Sequence, residues 1–251
     1  QIQASTPYTR VLGRREMPGA TWFEGARLNY AEHVFRNANE HPALFFRSET
    51  VPDEVWSWAE LRRAVASVAA SLREMGIGVG DRVVAYVPST PHAVIAFLAC
   101  ASLGAVWSSC SPDIGAVSVI DRFTQIEPSV LFAIDGYVYG GKPFDRADIV
   151  DDLRRALPTL RQVIHIPYLH APDAPETRAR QALPNTRAWA EIVGRTDEPL
   201  SFAQVPFAHP LWVLYSSGTT GLPKPITQSQ GGILIEHLKK AALHTNLKPG
   251  D

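Results

Sequence analysis

The sequence predicts an α/β fold, a parallel sheet with helices on both faces. Short and almost wholly apolar runs alternate along the chain with segments of helical period, as expected where each strand is buried on both sides. The composition agrees: of 251 residues, 45% are hydrophobic and 20% charged, ordinary values for a globular α/β protein. That length can bury the core of one large domain or two small ones.

The first helix is read from "WAELRRAVASVAASLREMG", where Leu61, Val65, Val68, Ala69 and Leu72 fall on one face. Gly76 stops it, and "IGVGD" turns the chain into the strand "RVVAYVP". A helix opening on Pro91 follows in "PHAVIAFLACASLG", then the buried strand "AVWSSC". The same alternation continues with the helix "VSVIDRFTQIE", the strand "SVLFAID", the helix "RADIVDDLRRAL" and the strand "RQVIHIP". Residues 167–187 are polar, proline-bearing and non-periodic, so they read as a surface excursion that forces no domain boundary. "LWVLY" is a further buried strand, and "GGILIEHLKKAALH" a final helix. The closing "LKPGD" repeats the kind of turn that feeds "RVVAYVP", so the expectation is a fragment of a longer chain.

Charge and cysteine content remove several function classes. With 24 basic and 25 acidic residues the net charge is −1, which gives a nucleic acid or an anionic membrane no electrostatic reason to bind. The longest apolar run, "AVIAFLACASLGAVW", is interrupted by Gly104 and falls short of the ~20 residues of a membrane span. No basic-then-apolar leader opens the chain. Cys100 and Cys110 suit two reduced, partly buried thiols in a cytoplasmic protein, and no metal-ligand spacing surrounds them.

The chemistry concentrates after "LWVLY". Ser216, Ser217, Gly218, Thr219, Thr220 and Gly221 combine tight backbone turns with uncharged hydroxyl donors, and Lys224 adds a positive charge. Such a loop between a strand and a helix suits phosphate oxygens. It is not the Walker pattern, because no serine or threonine follows the lysine. Pro225 restricts Lys224 to an extended backbone.

"YSSGTTGLPKP" resembles the phosphate-binding signature of the adenylate-forming superfamily: acyl-CoA synthetases, luciferases and peptide-synthetase adenylation domains. Pro225 stands where the usual form has glycine. That difference resembles the acetoacetyl-CoA synthetase branch, as do "MPGATWFEGARLNYAEHVFR" (17–36), "SPDIGAVSVIDRFTQIEPSVLFAIDGYVYGGK" (111–142) and "GGILIEHLK" (231–239). The resemblance implies that residues 1–251 are an incomplete N-terminal adenylation domain, part of the large domain of such an enzyme, with the C-terminal domain absent. It implies an acid–thiol ligase: acetoacetate and ATP give an acyl-adenylate and pyrophosphate, and coenzyme A then displaces AMP. The loop from Ser216 to Lys224 would hold the β- and γ-phosphates and Lys142 the coenzyme A, while the magnesium ligands and adenine motifs lie beyond residue 251. Related acetyl-CoA synthetases carry histidine before the glycine pair, where this chain has Gln230. Such a fragment is expected to be inactive alone. Two other readings remain: a different short- or medium-chain acyl-CoA synthetase, or a non-catalytic nucleotide-binding fragment.

The remaining conspicuous residues read as structural. His237 and His244 share a predicted helix without a third metal ligand and are assigned to surface or packing. Trp22 and Phe23 are assigned to docking of the N-terminal segment, Arg62, Arg63, Arg154 and Arg155 to solvated helix faces, and Tyr137 and Tyr139 to strand packing.

Overall fold

The computed structural model describes residues 2–36, 38–49, 51–216 and 221–248. Its N-terminal segment forms small antiparallel pieces. β1 (Arg10–Leu12) pairs with β2 (Trp22–Glu24), β3 (Arg27–Leu28) leads into α1 (Tyr30–Phe35), and β4 (Leu44–Phe46) pairs with β5 (Glu54–Trp56). The alternating body then runs α2 (Trp58–Glu74), β6 (Arg82–Tyr86), α3 (Pro91–Leu103), β7 (Val106–Cys110), α4 (Ala116–Phe123) and β8 (Val130–Ile134). A hairpin of β9 (Gly136–Tyr139) and β10 (Lys142–Asp145) precedes α5 (Ala147–Ala156) and β11 (Gln162–Ile166). The rest comprises α6 (Pro175–Gln181), β12 (Thr186–Ala188), α7 (Trp189–Val193), β13 (Val205–Pro206), β14 (Pro210–Ser216), β15 (Lys224–Ser229) and α8 (Gln230–Lys239).

Local chemistry sets several of these boundaries. Ser57 caps α2 in a reciprocal box with Glu60, each side chain bonded to the other residue's backbone N–H. Pro91 opens α3, and Gly104 closes it in the left-handed conformation at φ +71°.

Seven strands form one sheet in the order β12-β11-β8-β6-β7-β14-β15. All neighbours are parallel except β14 and β15. The period of two along each strand splits the core between the faces. Val83, Ala85, Val130 and Phe132 pack with α1, α2 and α3, whereas Val84, Tyr86, Leu131 and Ala133 pack with α4 and α5. The parallel sheet covered on both faces is thus the architecture observed. Because β7 lies on one side of β6 and β8 on the other, the strand order reverses beside β6, the kind of point at which open α/β sheets bind ligands.

Two features differ from the sequence expectation. Residues 167–187 are not wholly irregular: they contain α6 and lead into β12, the outer strand beside β11. Their polarity follows from covering a sheet edge, where only one side meets apolar neighbours. The expected final helix divides into α8 and a π-helical turn, Lys240–His244. "LKPGD" lies mostly outside the described residues.

Candidate phosphate-binding site

β14 carries the candidate loop. Leu211 and Val213 are buried, and β14 runs between β7 and β15, with Ser108 Oγ donating to the Val213 carbonyl at 2.8 Å. At its carboxyl end Ser216 stands directly opposite Lys224, Tyr215 opposite Pro225 and Leu214 opposite Ile226. The candidate loop therefore closes a hairpin whose two paired ends are a hydroxyl and an ammonium group. Gly221 has φ +92°, which a residue with a Cβ rarely adopts. Ser217, Gly218, Thr219 and Thr220 lie outside the described residues.

The loop does not lead straight into a helix, as the sequence reading had it. Lys224–Ser229 is a strand, so α8 begins at the far end of β15, ~20 Å away at the usual rise of an extended chain. Prolines on both sides of Lys224 hide this strand from pattern reading, yet an outer strand tolerates them. The α8 N-terminus is consequently not the anion-binding element of this loop. Its first turn is bound inward instead. Ser229 Oγ accepts from the Gly232 N–H at 3.1 Å. Gln230, wholly buried, accepts the Tyr30 N–H on its Oε1 at 2.8 Å. Gln230 thus joins α8 to α1. Gly231 faces the Phe207 ring so closely that a Cβ would lie 2.2 Å from it. Phe207 in turn packs on Phe23, ring centres 4.7 Å apart. Of the expected docking pair only Phe23 serves, since Trp22 is half exposed.

Lys142 begins β10 on a separate hairpin and is exposed. Directly after β10, Arg146 returns to the same hairpin. Its guanidinium lies 5.0 Å from the Tyr137 ring centre, donates to Tyr137 Oη at 3.0 Å, and donates through Nε to the Pro112 carbonyl at 2.6 Å. Tyr86 at the end of β6 donates to that same carbonyl at 2.8 Å. Burial pushes the Tyr86 phenol up to about 12, so it remains a donor at neutral pH. Tyr137 and Arg146 are thus tied, through the Pro112 carbonyl, to the carboxyl end of β6. Composition alone offered no signal for this; the signal that existed was an arginine just after a Gly-Gly hairpin.

The hairpin base is also held from behind. The Asp135 carboxylate accepts the backbone N–H groups of Tyr168, Leu169 and His170 at 2.8–3.0 Å, and meets His170 Nδ1 at 3.1 Å. A Cβ on Gly136 would lie 2.6 Å from both Leu169 Cδ2 and the Phe144 carbonyl.

An apolar cavity of about 430 Å³ lies beneath the loop's strand, lined in part by Phe97, Trp107, Ser109, Trp212 and Leu214. Beside it Tyr30 Oη bonds His237 Nδ1 at 3.0 Å, and the His237 ring meets those of Tyr30 and Trp212, so it sits at the surface in contact with the aromatic cluster. Arg62 and Arg154 are not simply solvated. Arg62 lies over the Phe35 and Phe202 rings, and Arg154 donates to Thr186 Oγ1 at 2.8 Å, joining α5 to β12. Among the described residues no three His, Cys, Asp or Glu side chains gather where they could hold a metal ion, and no helix is long and apolar enough to cross a membrane.

The fold places the chain among α/β proteins whose ligands sit at the carboxyl ends of parallel strands. The profile of the AMP-binding enzyme family matches residues 31–251, and the chain belongs to that family. An acetoacetyl-CoA synthetase from Danio rerio is 41% identical over 259 residues, 100% of this chain and 38% of the relative. One from Rhizobium meliloti (strain 1021) is 42% identical over 94% of this chain and 35% of its own length. A malonamoyl-CoA synthetase from Penicillium aethiopicum is 34% identical over 100% of this chain. The solved acetoacetyl-CoA synthetase of Streptomyces lividans superposes with a TM-score of 0.92 at 57% identity, over 100% of this chain and 38% of that one. The chain thus spans a little over a third of these proteins' length.

Proposed function

We propose that the chain is the amino-terminal part of the adenylation domain of an acid–thiol ligase, which activates acetoacetate with ATP and passes the acyl group to coenzyme A. The observation that carries this reading is the pairing of Ser216 with Lys224 at the mouth of a hydroxyl- and glycine-bearing loop, on a strand fixed within the sheet. The similarity to acetoacetyl-CoA synthetases along the whole chain supports the substrate.

A carboxylate is a poor electrophile, and attack of its oxygen on the α-phosphate makes a mixed anhydride that the thiol can open. The chain's task in the first step is to position the triphosphate and offset the charge that grows on the departing pyrophosphate. The Ser216–Gly221 loop offers donors to the β- and γ-phosphates, and Lys224 supplies the positive charge. Lys142, with Arg146 at the base of the same hairpin, suits the phosphates of coenzyme A. On the family resemblance we assign the magnesium ligands beyond residue 251. The free, buried Cys100 and Cys110 support a reducing, cytoplasmic setting.

Acetoacetate and malonamate both carry a carbonyl group at C3, so the acid pocket of this family branch is expected to read that group. The test is pyrophosphate release by the complete protein over a panel of acids. Acetoacetate is expected to be the best substrate, malonamate a weaker one. A preference for acetate or for a long-chain acid would remove the substrate assignment.

A further inference from the structure

We propose that Gln125 is a positioning residue for Lys224, acting with Tyr215 as a clamp on the two arms of the candidate phosphate hairpin; this rests on the phosphate reading above. The clamp is built from one helical turn. The 3-10 turn Thr124–Ile126 continues α4, whose Val119 and Phe123 are wholly buried against the sheet. From this fixed base the Arg122 carbonyl accepts the Tyr215 hydroxyl at 2.6 Å, which holds the β14 arm one residue before Ser216. Gln125 Nε2 donates to the Pro223 carbonyl at 3.0 Å, which holds the other arm one residue before Lys224. The same Nε2 donates to the Asp121 carbonyl at 2.6 Å, so the amide is itself oriented by α4.

The second arm has particular need of such a tether. Pro223 and Pro225 flank Lys224, and neither has an N–H to give to a ladder. β15 is also the outer strand of the described sheet, so no neighbouring strand braces it from outside. With backbone bonding reduced to one strand partner, a side-chain bond to the Pro223 carbonyl limits where the Lys224 Cα can swing. An ammonium that must meet a moving charge gains from being held in place before the reaction.

The experiment uses the complete protein. Gln125→Glu keeps the shape but loses the donor; Gln125→Ala loses both. Each is expected to lower kcat/KM for ATP in the adenylation half-reaction about two- to tenfold, the worth of one hydrogen bond. Thioester formation from supplied acyl-adenylate is expected to stay unchanged. In a Lys224→Ala background, Gln125→Glu is expected to add less than about twofold, because a positioning residue has nothing left to position. A purely structural bond would give the same loss in both backgrounds. Equal losses, loss in both half-reactions, or no loss in the native background would overturn the clamp while leaving the phosphate reading intact. If Lys224→Ala itself left adenylation unchanged, the phosphate reading would fall and the clamp with it.

Discussion

Lys142 and Lys224 hold equivalent places on two hairpins, each opening the second strand, and the comparison shows what separates a turn from a candidate site. Lys142 pairs with Tyr139 across Gly140 and Gly141, both at positive φ, the tight two-residue turn that glycines favour. Lys224 pairs with Ser216 across the longer stretch 217–223. A two-residue turn spends its backbone in closing the hairpin and leaves no concavity. A longer loop between paired ends has N–H groups to spare. Anchoring differs too. β9 and β10 form a two-stranded piece outside the main sheet, tied down by Asp135, Gly136 and Arg146, whereas β14 is a member of that sheet. Both lysines are exposed; the first stands on a detached two-stranded piece, the second opposite Ser216 on the outer strand of the main sheet.

The sharpest way to break this comparison is to remove each lysine in the complete protein. Lys224→Ala is expected to slow adenylation by about 10²–10³, the usual loss for one donor aimed at developing charge. Thioester formation from acyl-adenylate should change far less, since no pyrophosphate remains to be stabilised. Timing both half-reactions decides it, and equal losses would make the loop structural.

Next come the glycines that seat the two hairpins. Gly231→Ala drives a methyl group into Phe207, and Gly136→Ala drives one into Leu169 and the Phe144 carbonyl. Each should cost about 1–3 kcal/mol of stability, read from denaturant unfolding. Only Gly231→Ala is expected also to reduce adenylation per folded molecule, because it displaces α8 at the foot of β15.

The smallest effect belongs to Lys142→Ala. An exposed cation is worth up to about 1 kcal/mol, so the KM for coenzyme A should rise no more than about fivefold with adenylation untouched. A loss of adenylation equal to that of Lys224→Ala would erase the distinction between the two hairpins.

Some of this was legible in the chain itself. The strands β6, β7, β8, β11 and β14 and the helices α2, α3 and α5 stand where apolar runs and helical period put them. Those signals are local: a strand buried on both faces must be apolar throughout, and caps such as Ser57 and Gly104 act within a turn of themselves. The run of hydroxyls and glycines ending in Lys224 was equally plain, since its chemistry is written in consecutive residues.

Tertiary structure alone decided the rest. Lys224–Ser229 is a strand because β14 lies beside it, not because "KPITQS" has a strand's pattern. Gln230 is buried because it bonds the backbone of Tyr30, a residue far away in the sequence. Arg146 is tied to Tyr137 and to the Pro112 carbonyl, which also accepts the Tyr86 hydroxyl at the end of β6. Arg62, though exposed, lies over rings of other elements, and Arg154 bonds a hydroxyl of β12. In each case a polar or ambiguous side chain takes its role from a partner that the fold, not the neighbouring residues, brings within hydrogen-bonding or stacking reach. Apolar burial repeats with a period and can be read along a chain, whereas the partner of a single polar group has no period to read.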